Sequence, residues 1–135
     1  METNKSLERY FKNDKFAERA NIELLSVSPG RATAKMALSA NHLNGYGTVQ
    51  GGAIFTLADL AFAAASNSYG TVAVGIQVSI SYMKAAKAGT LWAEARENSK
   101  NHRLGSYTVE VKDDAGELVA LFQGMAYRKQ ERIGG

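Results

Sequence analysis

The sequence has 135 residues and a formal net charge of +3, and 45% of its residues are hydrophobic, which predicts one domain with its own core. It contains no cysteine, so disulfide bonds, thiolate metal sites and a cysteine nucleophile are excluded. No apolar stretch approaches the roughly 20 residues that span a bilayer. The polar N-terminus lacks the apolar core of a secretory signal, so we expect a cytoplasmic protein without a membrane partner.

The basic residues form small, scattered clusters. Aromatic residues do not alternate with these clusters as they do in nucleic-acid-binding stripes, so we expect no nucleic-acid partner. Two interpretations stay open, namely solvated surface charge and weak attraction for an anionic ligand such as a nucleotide phosphate. The clusters consist of Lys84 and Lys87, Lys100 and Arg103, and Arg128, Lys129 and Arg132.

The first elements in chain order are a helix and a hairpin. Apolar side chains at Leu7, Tyr10, Phe11 and Phe16 have helical spacing, which predicts one amphipathic helix in the N-terminal segment, residues 1–19. Residues 22–27 and 31–38 flank a Pro-Gly turn and are predicted to pair as two strands.

A loop over residues 41–50 leads into a second helix, which begins after Gly51 and Gly52 and ends before Gly70. This helix is apolar on nearly every side, which predicts that it is buried. Residues 71–82 then alternate as a strand does, and further strands are predicted at 90–97, 104–112 and 117–128. The last residues, 129–135, are predicted to form a loose tail.

These elements predict an α+β fold. A helix of about 17 residues is roughly 25 Å long, and strands of 8 to 10 residues reach roughly 27 to 34 Å. An antiparallel sheet could therefore wrap round the second helix in a single domain over residues 1–135. One face of the helix would still need a cover, for which a second subunit is the obvious candidate.

Asp59 is the only charged residue between Gly52 and Ala65. An ionised carboxylate in apolar surroundings is costly unless it is paired or hydrogen-bonded, and no Lys or Arg lies within one helical turn of it. Two interpretations follow. Asp59 either pairs with a distant arginine or sits on an exposed stripe, or it is held in an apolar pocket as a nucleophile or general base.

The start of the same helix, Gln50-Gly51-Gly52, offers bare amide groups. A helix N-terminus favours developing negative charge, such as the oxyanion of an acyl transfer. Gly51 and Asp59 are eight residues apart, roughly 12 Å along one helix, which is too far for both to act on one carbonyl. Two helices packed antiparallel would solve this, so we expect an active site shared between two chains.

The run from Asn41 to Asp59, together with residues 61–68, 79–86 and 121–124, resembles the hotdog-fold acyl-CoA thioesterases. It is similar to the PaaI-type, or phenylacetate-pathway, branch of the 4-hydroxybenzoyl-CoA thioesterase superfamily. The resemblance implies a hotdog fold, in which an antiparallel sheet wraps round a long central helix, and dimers or dimers of dimers with sites at the subunit interface.

The resemblance also implies roles for individual residues. Asp59 matches the carboxylate that acts as nucleophile or as base for water, Gly51 the glycine whose amide polarises the thioester carbonyl, and Asn44 a loop asparagine that holds the site or positions water. The branch usually has His at the position of Gln50. Glutamine does not titrate near neutrality, so a general acid is lost there, although a hydrogen-bond donor remains.

Further substrate contacts are expected at Gly52 beside the helix start, and at Lys84 and Arg103, which would meet the phosphates of coenzyme A. The two histidines lack carboxylates at ligand spacing, so we expect no metal, and the chemistry needs no cofactor. The leading hypothesis is hydrolysis of an aryl- or medium-chain acyl-CoA by a homodimer or homotetramer. The alternatives are a non-catalytic acyl-CoA-binding protein of the same fold and a hydratase, whose helix motif is missing here.

Overall fold

A computed structural model describes residues 2–133 of the chain. Two short helices, α1 (Glu2–Lys12) and α2 (Lys15–Arg19), precede the strands β1 (Ile22–Ser28) and β2 (Arg31–Ala37). A 3₁₀ turn (Ala40–His42) and a loop lead into the long helix α3 (Gly51–Ser66). The remaining strands are β3 (Thr71–Tyr82), β4 (Thr90–Lys100), β5 (Leu104–Lys112) and β6 (Leu118–Arg132).

The six strands form one antiparallel sheet in the order β1-β2-β4-β5-β6-β3. The sheet wraps round α3, which contacts every strand. This is the α+β hotdog architecture that the sequence predicted, with the central helix running antiparallel to β3. Within the described residues, no helix is long and apolar enough to span a membrane.

The core lies where the buried side of α3 meets the sheet. The ring of Phe62 packs 5.5 Å from that of Phe122 and 5.7 Å from that of Tyr107, centroid to centroid. A β-carbon at Gly124 would come within 2.8 Å of the Phe62 ring, closer than van der Waals contact allows. Glycine at this position therefore lets β6 approach the central helix closely.

The N-terminal segment departs from the prediction of one helix over residues 1–19. Helix α1 ends at Lys12, and Asp14 caps a second helix by accepting a hydrogen bond of 3.0 Å from the Ala17 amide. Asp14 has extended backbone angles, as N-cap residues do. The cap ends the single-helix pattern and turns α2 towards α3.

The C-terminal segment also differs from the prediction, because a loose tail from residue 129 is wrong. Strand β6 continues to Arg132, which pairs with Thr71 at the start of β3. The ladder hydrogen bonds to β3 extend the strand beyond its apolar part. The last two residues of the predicted tail lie outside the described residues.

Strands β1 and β3 form the two edges of the sheet. Helix α1 packs against β1, whereas β3 presents apolar side chains to solvent, with Val74 exposed over 40% and Ile76 over 57% of their surfaces. The pairing of β3 with β6 shifts register between Gly75 and Gln77, which interrupts the predicted clean alternation. The described residues leave this long apolar edge uncovered.

Candidate active site

The first turn of α3 presents backbone N–H groups without acceptors. The amides of Ala53 and Ile54 donate to the carbonyl oxygen of Gln50 at 2.9 and 3.3 Å. Those of Gly51 and Gly52 have no acceptor among the residues described, and the N-cap residue makes no side-chain capping bond. Unsatisfied N–H groups at a helix start carry partial positive charge, so this turn suits an oxyanion.

The Gln50 side chain is also available beside this turn. Its backbone N–H is fixed by a hydrogen bond of 2.7 Å to the carbonyl oxygen of His42. Its carboxamide is exposed and has no hydrogen-bond partner within residues 2–133. Gly52 is exposed too, and only the Gln50 side chain would come near a β-carbon placed there. A ligand can therefore approach the helix start without steric hindrance.

Tyr82, at the end of β3, contacts Gly51 at the start of α3. Its hydroxyl donates a hydrogen bond of 2.9 Å to the carbonyl oxygen of Gly51. The ring lies so close that a β-carbon on Gly51 would be 3.1 Å from it. Tyr82 thus fixes the peptide that joins Gly51 to Gly52.

Asn44 organises the loop that precedes α3. Its side-chain oxygen accepts hydrogen bonds from the amides of Tyr46 and Thr48 at 2.9 and 3.2 Å, and its side-chain nitrogen lies 3.2 Å from the hydroxyl of Thr48. The asparagine therefore closes a turn within residues 44–48. One N–H of its carboxamide is left over after these bonds.

Asp59 lies on the one stripe of α3 that the sheet does not cover, together with Gly52 two turns earlier. The expectation that the helix is buried on nearly every side is therefore wrong for this stripe. The carboxylate makes no hydrogen bond and no ion pair with any described residue, so pairing with a distant arginine does not explain it.

The surroundings nevertheless raise the pKa of Asp59 above its ordinary value. The first cause is desolvation by the protein packed round the carboxyl group, and the second is repulsion by the carboxylate of Asp14 at the start of α2. The side chain is thus exposed along the uncovered stripe, while the atoms packed against it remove part of its hydration and so raise its pKa. A raised pKa makes a carboxylate a stronger base.

Lys84 is held in an ion-pair cluster. Its ammonium group lies 2.7 Å from Asp113 and also bonds to Glu117. These bonds raise the pKa of Lys84, the first cause being the bond to Asp113, and lower that of Asp113. The two acids therefore compensate the positive charge that was expected to bind phosphate.

Arg103 lies at the other end of the molecule. Its guanidinium donates a hydrogen bond of 3.4 Å to the hydroxyl of Tyr127, a residue that pairs with Val74 near the start of β3. From Val74 to Tyr82 the strand runs roughly 26 Å. Within one chain, Arg103 is therefore remote from the helix start.

The histidines and the described acids offer no metal centre. His42 is buried and bridges the 3₁₀ turn to α2, with one ring nitrogen accepting from the Ser39 amide and the other bonding to the carbonyl oxygen of Ala20. Across residues 2–133, no group of three His, Asp or Glu side chains is arranged to hold a metal ion.

Two contributors were missed by sequence reasoning. Tyr82 ends a strand that runs antiparallel to α3, so matching the lengths of strand and helix would have placed it at the helix start. Asp14 was placed inside a single predicted helix, although an aspartate directly before a helical segment is a typical N-cap signal.

Residues 46–120 match the family model described as Thioesterase superfamily. A putative esterase of Archaeoglobus fulgidus is 46% identical over 122 residues, covering 90% of this chain and 79% of the relative. The acyl-coenzyme A thioesterase PaaI of Escherichia coli is 37% identical over 126 residues, covering 93% and 87%. The structure of the Escherichia coli PaaI protein from the phenylacetic acid degradation operon superposes with a TM-score of 0.91 at 33% identity, covering 95% of this chain and 94% of that one.

Proposed function

The chain belongs to the Thioesterase superfamily and is an acyl-CoA thioesterase of the PaaI type, and from that premise we propose how its residues perform the hydrolysis. The amide of Gly51 binds the thioester carbonyl oxygen, and Asp59 of a partner chain supplies the attacking group. The unpaired Asp59 carboxylate on the open face of α3 is the observation that carries this proposal.

The helix start stabilises the charge that develops on the carbonyl oxygen. The N–H of Gly51 and the carboxamide of Gln50 are both unpaired donors within the described chain. Donors that are already in place need no reorganisation when the oxyanion forms, and removing one such donor typically costs about 100- to 1,000-fold in rate. Gln50 donates a hydrogen bond here without exchanging a proton.

Asp59 acts in one of two ways. As a general base, it takes a proton from water while the water oxygen bonds to the carbonyl carbon, and the C–S bond then breaks to release the thiolate of coenzyme A. As a nucleophile, its oxygen bonds to the carbonyl carbon, the C–S bond breaks to release the thiolate of coenzyme A, and water then hydrolyses the resulting mixed anhydride. Desolvation favours both by raising the basicity of the carboxylate.

The two groups must come from different chains. Gly51 and Asp59 are separated by roughly 12 Å along one helix, and a single carbonyl cannot contact both. Antiparallel packing of two copies of α3 places the helix start of each chain beside the carboxylate of the other. Such a dimer contains two equivalent sites.

The uncovered edge of β3 supports this dimer. An exposed edge strand pairs readily with a second strand, and Val74 and Ile76 add apolar surface that pairing would remove from water. Pairing two β3 strands antiparallel runs the two copies of α3 antiparallel as well, since each helix is antiparallel to its own β3. We expect this dimer, alone or doubled into a tetramer, to act in the cytoplasm.

The same pairing gives Arg103 a role. It reverses the two ends of β3, so the partner's Arg103 approaches the Tyr82 end of this chain and can bind the phosphates of coenzyme A. Lys84 is already neutralised by two acids, so its contribution is confined to lining the cleft beside Tyr82. Asn44 shapes the loop beside the helix start, and its remaining N–H is directed to a water or the substrate.

The substrate class is an aryl- or medium-chain acyl-CoA. The test is thiol release from a panel of acyl-CoAs by the wild type and by Asp59→Asn, with a loss of at least about 100-fold expected from removing an acid–base group. Equal rates would refute the role of Asp59, and a wild type that binds acyl-CoA without releasing thiol would show a non-catalytic binding protein instead.

A fold control belongs to this test. Because the folded-state pKa of Asp59 is raised, its ionised form disfavours the folded state at any pH above that pKa. The neutral Asp59→Asn variant should therefore melt no lower than the wild type at neutral pH. A lost activity with an unchanged or raised melting temperature separates chemistry from unfolding.

A further inference from the structure

A cavity of about 540 Å³ lies between α2 and the start of α3. Gln50, Gly52 and Thr56 line it on the α3 side, and Phe16 and Arg19 line it on the α2 side. Its volume falls within the range of roughly 300 to 1,000 Å³ that is usual for small-ligand sites. The cavity therefore begins at Gln50, one of the two groups assigned above to the thioester carbonyl.

A different cleft borders Gly51 on the other side. This second cleft, of about 380 Å³, is lined by Tyr82, Met83 and Lys84. A thioester carbonyl carries the acyl carbon on one side and sulfur on the other, so a carbonyl held at the helix start sends one substituent into each cleft. The cleft at Tyr82 lies at the end of β3, and in the dimer proposed above the partner's Arg103 would approach it, which suits the anionic phosphates of coenzyme A. The α2 cavity is left for the acyl group.

The α2 cavity combines one aromatic wall with unpaired polar groups. Phe16 is exposed over 71% of its surface and offers an aromatic face to an apolar ligand. Arg19 is the one permanently charged residue among the described lining, and neither its guanidinium nor the carboxamide of Asn41 bonds to another described side chain or carbonyl. The cavity thus pairs an apolar wall with donors for an oxygen.

We propose that the α2 cavity binds the acyl group of the substrate, with Phe16 against its apolar body and Arg19 and Asn41 on an oxygen at its distal end. This inference rests on the proposed function. Because guanidinium and carboxamide groups both donate hydrogen bonds, the shared chemistry is an oxygen acceptor, either a neutral hydroxyl or a carboxylate. Phe16 and Arg19 are then specificity-determining residues for the hydrolysis.

The test compares three acyl-CoAs of equal chain length, namely hexanoyl-CoA, ω-hydroxyhexanoyl-CoA and adipoyl-CoA. For Arg19→Gln we expect kcat/KM on at least one oxygen-bearing substrate to fall about tenfold relative to hexanoyl-CoA, since a hydrogen bond to a charged group is lost. Comparing ω-hydroxyhexanoyl-CoA with adipoyl-CoA distinguishes a hydroxyl from a carboxylate as the group that Arg19 binds. Arg9→Gln on α1, which lines neither cleft, is the matched control.

Phe16→Ala provides a second measurement, with Phe16→Leu as the partner variant that keeps an apolar side chain. We expect Phe16→Ala to lower kcat/KM for hexanoyl-CoA more than for acetyl-CoA, whose acyl group barely enters the cavity. Equal losses on all substrates in both variant series would overturn the inference. If the wild type releases no thiol from any acyl-CoA, both the proposed function and this inference are refuted. If the wild type is active but Arg19→Gln and Phe16→Ala leave the selectivity ratios unchanged, only this inference is refuted.

Discussion

The hydroxyl of Tyr82 donates a hydrogen bond of 2.9 Å to the carbonyl oxygen of Gly51, the residue that opens α3. That carbonyl belongs to the peptide whose N–H is carried by Gly52. Hydrogen bonding to a peptide oxygen polarises the whole group and strengthens its N–H as a donor. Strand β3 therefore fixes, through one tyrosine, the peptide that directly follows the proposed oxyanion donor, the N–H of Gly51.

Tyr82→Phe keeps the ring against Gly51 and removes only this hydrogen bond. A neutral hydrogen bond contributes about 0.5–1.5 kcal/mol, so we expect kcat to fall roughly two- to tenfold with a smaller change in KM. Steady-state kinetics on one acyl-CoA measures this. Tyr46→Phe, at a tyrosine exposed over 90% of its surface, is the control, and an unchanged kcat in Tyr82→Phe would contradict the positioning role.

Gly51→Pro should remove the proposed oxyanion donor while keeping the helix. Proline is well tolerated at the first helical position, and Gln50, with φ −59° and ψ 131°, already has the conformation that suits a residue before proline. We expect kcat to fall about 100- to 1,000-fold with an unchanged circular dichroism spectrum.

Gly51→Ala is the matched control for that variant. It brings a β-carbon equally close to Tyr82 but keeps the N–H. If the proline and alanine variants are equally active, the Gly51 amide does not bind the oxyanion. If both are equally impaired, the contact with Tyr82 rather than the amide accounts for the loss.

The pH dependence of kcat/KM should report the raised pKa of Asp59. Since the ionised carboxylate is the active form, activity falls as the pH drops through that pKa, at a higher pH than an ordinary aspartate would give. Asp14→Asn removes the repulsion that contributes to the shift and keeps an N-cap residue. Its acid limb should therefore move to lower pH, and a limb that stays in place or moves upward would show that Asp14 does not tune the site.

The dimer interface can be tested at β3. Ile76→Lys places a charge on the uncovered edge strand, where strand pairing would bury it, so we expect a monomer by analytical ultracentrifugation and loss of thioesterase activity. Leu25→Lys is the matched control, because Leu25 is an exposed leucine on β1, the opposite edge. A dimeric and active Ile76→Lys variant would place the interface elsewhere.

Local patterns in the sequence predicted most of the fold. Helix α3 and strand β5 follow from apolar periodicity and glycine boundaries, and the wrapped sheet follows from the matched lengths of helix and strands. The split between α1 and α2 was missed because apolar spacing continues across the break, while the deciding contact is the single cap made by Asp14. The end of β6 was missed because backbone pairing with Thr71, rather than side-chain pattern, extends it.

The residues of the candidate site that lie on α3 could be predicted from the local sequence. Those whose role depends on tertiary contacts could not. Asp59 stands out as a charge in an apolar helix, and Gly51 as a glycine at a helix start. The expected phosphate contact of Lys84 could not be judged from sequence, since Asp113 and Glu117 lie far along the chain yet neutralise it. Tyr82 likewise joins Gly51 across 31 residues.

Mixed dimers give the sharpest test of a shared site. In a heterodimer of Asp59→Asn and Gly51→Pro chains, one site joins the intact Gly51 of one chain to the intact Asp59 of the other, while the second site carries both changes. If the two inactive homodimers exchange subunits at random, half of the dimers are mixed and half of the sites in each are intact. Since each dimer has two equivalent sites by symmetry, activity should recover to about one quarter of the wild-type value. Recovery is measured by thiol release after subunit exchange, with heterodimer formation verified by mass spectrometry of differently tagged chains. Verified heterodimers without activity would mean that Gly51 and Asp59 do not serve one thioester across the interface.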